Sequence, residues 1–588
     1  MSHQPRCILC ALIATFFAAV VAMSATRVGA EEFADHKFNR QELSDVYYSE
    51  GIGAGDLNGD GQEDIIYGPY WFAGPDFKTK HELYPPKPQN RDRYADHFFA
   101  WVYDFNGDGR NDILTAGFPG TPGFVYENPG PDGYDKHWKK HTVVDSVANE
   151  SPQFVNIVGD EKPELVCSNH GFFGYVTWDP AKPFEPWKFT AVSEKIAPDP
   201  FGHGLGIGDV NGDGRQDIIV QNGWFEQPKS LEGSPRWKLH AAKFAPAGGA
   251  EMYVYDVDGD GDNDVITSLA AHEFGLAWYE QVKDGDEIAF KQHLIMGKEP
   301  SENRYGLIFS ELHSVNLADI DGDGLKDIVT GKTYRSHHNR SPMWDAGPVV
   351  YWFRLQRTPD GVDWVPYKAD DVSGIGRQLV VHDINKDGLP DLASGGMTGA
   401  HVLIHKKDKI SKEKFEELKP KANGPIPKPQ ARGREPRFPE KGNQVAGALE
   451  GETFKVAKAS AGKPGTQKMN GFSGDRWSGD NQLFWTGARP GDRIDLELPV
   501  EKEGNYDVIA NLTMAPNYAK VQLSLDDEPI GDAIDLYEGD VVTTGELTLS
   551  TRNLTAGPHK LSIEIKGANP AARKDFMVGL DYLRLDGK

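Results

Sequence analysis

One nine-residue acidic run constrains this chain more than any other feature. It reads DLNGDGQED from Asp56, DFNGDGRND from Asp104, DVNGDGRQD from Asp209, DVDGDGDND from Asp256, DIDGDGLKD from Asp319 and DINKDGLPD from Asp383. A worn copy, NIVGDEKPE from Asn156, fills the gap between the second and the third of these. Successive starts lie 48, 52, 53, 47, 63 and 64 residues apart, a period that belongs to propellers and solenoids. Each copy follows a short apolar stretch and precedes a β-branched run such as DIIVQ or DIVTG, so the copies join strands.

Oxygen donors at positions 1, 3, 5 and 9 around a glycine turn suit a hard cation, most simply calcium. The donor sets are Asp56, Asn58, Asp60 and Asp64; Asp104, Asn106, Asp108 and Asp112; and Asp209, Asn211, Asp213 and Asp217. They continue with Asp256, Asp258, Asp260 and Asp264; Asp319, Asp321, Asp323 and Asp327; and Asp383, Asn385, Asp387 and Asp391. An EF-hand needs a glutamate at position 12 and flanking helices, and both are missing. A second repeated element, a strand opening on an aromatic residue that lysine mostly follows, occurs at Phe38, Phe77, Trp138, Trp187, Trp237, Phe290 and Trp364. Seven blades follow, with the segment around Phe38 supplying the outer strand of the last and closing the ring. Trp71, Trp178, Trp224, Trp278 and Trp352 fall on third strands, where packing between blades accounts for them.

These residues resemble the FG-GAP/VCBS repeat family, calcium-loop β-propellers that also form the head of integrin α chains. The resemblance covers about 36–406. That part is also similar to the propeller of aldos-2-ulose dehydratases and to secreted propeller lyases acting on polysaccharides, although the cupin domains of the former are absent. The resemblance implies structural calcium. Extracellular sites of this kind bind at about 0.1–1 mM, so millimolar calcium would add roughly 1.4 kcal/mol at each tighter site.

Some staple of this kind is needed. Residues 1–30 carry Arg6, an apolar run from Cys7 to Met23 and Val28-Gly29-Ala30, which reads as a cleaved secretory signal and places the protein outside the cell or in the periplasm. Removing them takes Cys7 and Cys10 and leaves Cys167 alone, so no intrachain disulfide forms. It also removes two of the 63 basic residues and none of the 88 acidic ones, for a charge of 61 − 88 = −27. Such a balance excludes nucleic acid as a natural partner, and no second apolar stretch offers membrane insertion.

In a propeller the start of each innermost strand faces the axis, on the face opposite the acidic loops. Six residues before each loop stand Glu50, Glu150, His203, His313 and Arg377; one residue off that register stand His97 and Glu251. Connections between second and third strands reach the same mouth with Tyr70, His170, His272, Arg335, His337 and His338. Two chemistries fit. In one, His313 or His203 is a general base for β-elimination on a sugar carbonyl or uronate, with Arg377 stabilising the developing charge. In the other, two or three of His97, His203, His313 and Glu251 hold an additional divalent metal; no short ligand motif marks it, which makes it the weaker version.

Residues 407–445, rich in lysine and proline, read as a linker. From 446 to 588 alternating strands such as DRIDLELPV and HKLSIEIKG indicate an antiparallel sandwich of jelly-roll type. Glu450-Gly-Glu452, GNYDV at 504–508, AGPHKL at 556–561 and the closing LDYL resemble carbohydrate-binding modules of the family 6 and 35 type. That resemblance implies a structural calcium on Glu450, Glu452 and Asp581, and sugar-stacking rings among Trp477, Trp485, Tyr518 and Tyr537. The expected protein is all-β, a seven-bladed propeller followed by a sandwich, exported and carbohydrate-active, with elimination the favoured reaction. Non-catalytic adhesion or glycan binding is the alternative, and hydrolysis by Glu251 and Glu311 is a third.

Overall fold

The structure is a computed structural model describing residues 33–284, 287–426, 444–472, 477–538, 541–570 and 572–587. The expected signal segment and residues 427–443 of the expected linker lie outside the described residues. Seven four-stranded blades form the propeller. Blade one runs outward from Gly53–Gly55 through Asp64–Tyr67 and Tyr70–Phe72 to Lys80–Glu82. Blades two and three share the strand Lys139–Val155: its first part edges blade two and its second part is the inner strand of blade three. Blade seven takes Leu379–His382, Asp391–Gly396 and Gly399–Lys409 from one end of the repeat region and Ala34–Ser44 from the other. The closure expected around Phe38 is therefore present, and Phe38 stacks on His405 with ring centres 4.7 Å apart.

Near the axis the inner strands crowd one another. Leu205–Ile207 of blade four pairs in parallel with Glu251–Tyr253 of blade five, and Gly51 bridges in parallel to Gln378 across the ring closure. A Cβ on Gly206 would stand 2.0 Å from the Met252 carbonyl oxygen, so only glycine fits there. Trp71, Trp224 and Trp278 lie flat on their cross-strand partners His81, His240 and His293 within the same blades, with centres 4.2, 4.1 and 4.0 Å apart, and Trp71 also meets Trp138 of the next blade at 6.4 Å.

The acidic loops join first to second strands and are held by their own side chains. Asp56 accepts from the backbone N–H of Gly59 (2.7 Å) and Gly61 (2.9 Å), while Asn58 and Asp60 accept from Asp60 and Gln62. Gly59 and Gly61 have φ of +76° and +82°, which explains the glycine pattern. The ninth residue has a role beyond the expected cation ligation. Asp64 is fully buried and accepts the N–H of Leu57 (2.8 Å) on one oxygen and that of Gly74 (2.9 Å) on the other. Asp112, Asp217, Asp264, Asp327 and Asp391 repeat this tie from loop to third-strand end, and Glu164 of the worn copy keeps the loop half of it.

The expected linker contains a short helix, Lys412–Leu418, capped by Ser411, whose Oγ accepts from the Lys414 N–H (3.3 Å). Among the described residues it belongs to a small unit made of Phe33–Lys37 and Lys407–Lys419, in which Phe415 meets Phe33 at 5.3 Å. Apolar periodicity gave no sign of it, since none of its residues is buried. The C-terminal strands form two antiparallel sheets. Arg493–Val500 and Lys520–Leu525 alternate between core and surface, and Leu496, Leu523, Ile563, Val508 and Leu580 fill the space between the sheets. Among the described residues no helix is long and apolar enough to cross a membrane.

Asp217→Asn replaces one acceptor by an amide facing the Val210 or Gln227 N–H, both inside the protein. The expected loss of unfolding free energy is about 2–3 kcal/mol in urea at fixed calcium. A change under about 0.5 kcal/mol would show that the tie is dispensable.

Candidate functional site

The inner-strand starts and second-hairpin loops do converge on one mouth. His203 precedes the inner strand of blade four by two residues, and His313 stands in the same relation to Val315–Ala318 of blade six. His272 comes from the hairpin of blade five and His337 from that of blade six. His203 Nε2 lies 3.0 Å from His272 Nε2. The His313 ring centre is 4.6 Å from that of His272 and 5.4 Å from that of His203, and His337 lies 4.3 Å from His272. His313 is 1% exposed, and neither of its ring nitrogens has a hydrogen-bond partner.

All four imidazoles are held neutral at pH 7. Burial is the main cause, and the Arg377 guanidinium adds to it: His272 falls to about 2, and His313 and His337 lie below the usual histidine range. His203 is lowered too, by burial against the opposing pull of Glu150. Arg377 is fully buried. Its Nε is 3.2 Å from Glu150 Oε2, one Nη donates to the Ser336 carbonyl (3.1 Å), and its guanidinium lies 5.6 Å over the Tyr94 ring. Glu50 closes the network: its carboxylate accepts from Tyr47 Oη and the Ala95 N–H (3.2 Å), and burial raises its pKa.

The loop carrying His337 is anchored from below. Glu311, at φ +64°, is completely buried and accepts from Lys332 Nζ, from Ser336 Oγ (2.8 Å) and from the His337 N–H (3.4 Å). Sequence reasoning missed Lys332, Ser336, Tyr47 and Tyr94. The one available signal was Lys332, a cation ending the otherwise apolar run DIVTG.

Other expected mouth residues stand apart from this cluster. His97 shares a hydrogen bond with Ser49 Oγ (2.8 Å) through Nδ1. Glu251 accepts the Val315 N–H (2.8 Å) and Ser314 Oγ (3.4 Å), tying blade five to blade six. With Glu311 in its ion pair, the two carboxylates considered for hydrolysis are both engaged in structure. Tyr70 is buried against Tyr48 at 5.3 Å, and His170 is exposed beside Asp145 at 3.2 Å. His338 sets its ring edge-on to Tyr94 at 5.4 Å, and Arg335 lies 5.7 Å over the exposed Trp344.

The acidic donor sets have the chemistry that calcium needs. Carboxylate oxygens of Asp256, Asp258 and Asp260, and of Asp319, Asp321 and Asp327, lie within 4.8 Å of one another. In the sandwich, Ser478 ties two of the expected calcium ligands together. Its Oγ donates to Glu450 (2.7 Å) and its N–H to Asp581 (3.0 Å), while one oxygen each of Glu450 and Glu452 is buried without a partner. The stacking rings require correction. Trp477 and Trp485 are 2% and 1% exposed, and their indole N–H groups donate to Thr513 Oγ1 and the Ala461 carbonyl, so both are core. Tyr518, 4% exposed, also belongs to the core, beneath a groove of about 340 Å³ lined by Phe472, Phe484, Asn517 and Arg573.

No family model matches the chain. Integrin alpha-PS2 of Drosophila melanogaster is 22% identical over 216 residues, which is 36% of this chain and 12% of that protein. Among solved structures, a Paenibacillus xanthan lyase aligns at 10% identity and TM-score 0.22 over 86% of this chain and 44% of its own. An exo-beta-1,3-galactanase from Phanerochaete chrysosporium aligns at 11% and 0.26 over 94% and 100%. A family 35 carbohydrate binding module from Clostridium thermocellum aligns at 13% and 0.17 over 24% and 97%.

Two outcomes follow from the site's burial. Lys332→Met strands the Glu311 carboxylate and should cost about 3–5 kcal/mol, with Glu311→Gln in the same chain restoring part of it. Additive losses in a double-mutant cycle would contradict the pairing. Burial also holds His97 at about 4, against 6.5 for the free side chain. The unfolded chain binds the extra proton between those values, so the stability present above pH 6.5 drains away as pH falls toward 4. This one group accounts for up to about 3 kcal/mol. His97→Gln should flatten the fall in urea stability between neutral pH and pH 4.5; an unchanged slope would contradict the assignment.

Proposed function

We propose that this is an exported carbohydrate-active protein whose propeller mouth carries out β-elimination on a sugar or polysaccharide, while the sandwich docks to glycan. The acidic loops hold structural calcium in this reading, and residues 1–30 direct export. The observation that carries it is the convergence of four neutral histidines beside a buried arginine. His337 is the proton acceptor: it is half-exposed and neutral at pH 7, with its backbone fixed by Glu311. It removes the proton next to a carbonyl or carboxylate, the electron pair forms the new double bond, and the bond to the oxygen one carbon further breaks. The departing oxygen takes a proton from water. His272 stands behind His337 with ring centres 4.3 Å apart and backs it toward the mouth.

This reassigns the base from His313 or His203, because His313 is sealed from solvent. A second reading, glycan binding or adhesion without turnover, is supported by Arg377, whose guanidinium is committed to Glu150 and Ser336.

Mature protein in calcium should release unsaturated sugar, seen by ultraviolet absorbance, from a panel of uronic-acid polysaccharides and keto-sugars. His337→Gln should lower the rate about 10²–10⁴-fold with its melting temperature unchanged. Equal rates in wild type and variant would remove His337 from the mechanism. Silence across the panel, with retention on a glycan gel, would establish the binding protein.

A further inference from the structure

We propose that His203, His272 and His313 form a divalent transition-metal centre of the zinc class at the propeller mouth, chemically separate from the calcium-type loops. Their ligand nitrogens lie within 4.8 Å of one another. The 3.0 Å between His203 Nε2 and His272 Nε2 matches two nitrogens on one ion. Bonds of about 2.0–2.1 Å place such a pair about 2.8–3.4 Å apart, from right-angle to tetrahedral arrangements.

The second observation is the lack of any other partner. His313, 1% exposed, has two ring nitrogens without hydrogen bonds, and the buried Nδ1 of His272 has none. Leaving such groups unpaired inside a protein is costly, a penalty that ligation of one ring nitrogen reduces. Three neutral imidazoles are a poor set for calcium, which takes oxygen, and a good one for zinc, cobalt, nickel, copper or iron. Glu150 stands 3.7 Å from His203 Nε2 and supplies negative charge toward balancing the ion. The three ligands come from two inter-blade approaches and one hairpin, so no compact sequence motif announces them.

The inference rests on the mouth being the working face but not on the reaction assigned to it. When bound, the ion would polarise a substrate oxygen; the chain's own residues hold and orient the group.

The test uses the full mature protein, stripped by chelation and returned to millimolar calcium so that the loops are filled, then titrated with Co²⁺ or Zn²⁺ alone. One equivalent of Co²⁺ should bind with a visible absorption band of nitrogen ligation, and Zn²⁺ should displace it. His272→Ala and His313→Gln should each weaken binding about 100-fold or more, beyond the 10–100-fold typical of outer-shell losses. His141→Ala, altering an outer-strand histidine paired with Glu127, should bind as wild type. If His313→Gln fails to fold, His272→Ala gives the same reading from a partly exposed position. Absence of the band, or unchanged affinity in His272→Ala, would overturn the centre whatever the enzyme assay shows. A bound ion with no elimination on any substrate would keep the centre and overturn the elimination reading.

Discussion

Six buried aspartates, each accepting two backbone N–H groups, set the geometry on which the propeller depends. Each of these six carboxylates joins the start of its loop to the third strand or the residue just beyond it, so loop, second strand and third strand cannot move independently. A buried N–H without a partner costs about 1–3 kcal/mol, which makes each tie a strong local constraint. Calcium, on this account, adds to a frame that side-chain-to-backbone hydrogen bonds already shape. That frame replaces the disulfides which a chain holding one described cysteine, the buried Cys167, cannot form.

With the loops fixed at one face, the inner strands begin at fixed positions on the other. The mouth then concentrates polar groups that are expensive to bury: His313, Arg377, Glu50, Glu311 and Lys332 are each at most 1% exposed. Charges are matched, Arg377 with Glu150 and Glu311 with Lys332, while both ring nitrogens of His313 and one Nη of Arg377 have no hydrogen-bond partner. A core selected for stability alone would have replaced this set by apolar residues of similar volume. Function is the simplest reason for keeping it, and the proposed proton acceptor and metal centre both draw on these neutral imidazoles.

Much of this was legible in the residues. Loop spacing fixed the repeat count, the aromatic residue at Phe38 marked the closing strand, and counting six residues back from a loop found Glu50, Glu150, His203, His313 and Arg377. That count works because each inner strand ends directly before its acidic loop, so a similar number of residues leads back to the mouth. It could not say which side chains meet. Glu251, one residue off register, turns to the next blade's backbone, and His97 turns to Ser49. Lys332 showed only as a cation ending a strand, and Ser336 was invisible because the hairpin that brings it in, between Asp327–Lys332 and Val349–Thr358, is longer than its counterparts. In the sandwich, the identity of Trp477 and Trp485 suggested sugar platforms, but strand pairing turned both inward. Period-two patterning places a residue on a face only once the register is known.

The central claim is a division of labour: oxygen-rich loops at one face serve the scaffold, and nitrogen-rich chemistry occupies the other. The most direct measurement is anomalous diffraction from crystals grown with both calcium and zinc, with data taken on each side of the zinc absorption edge. The account predicts a zinc peak among His203, His272 and His313 and no zinc signal at the acidic loops. Zinc in the loops with none among the histidines would contradict it.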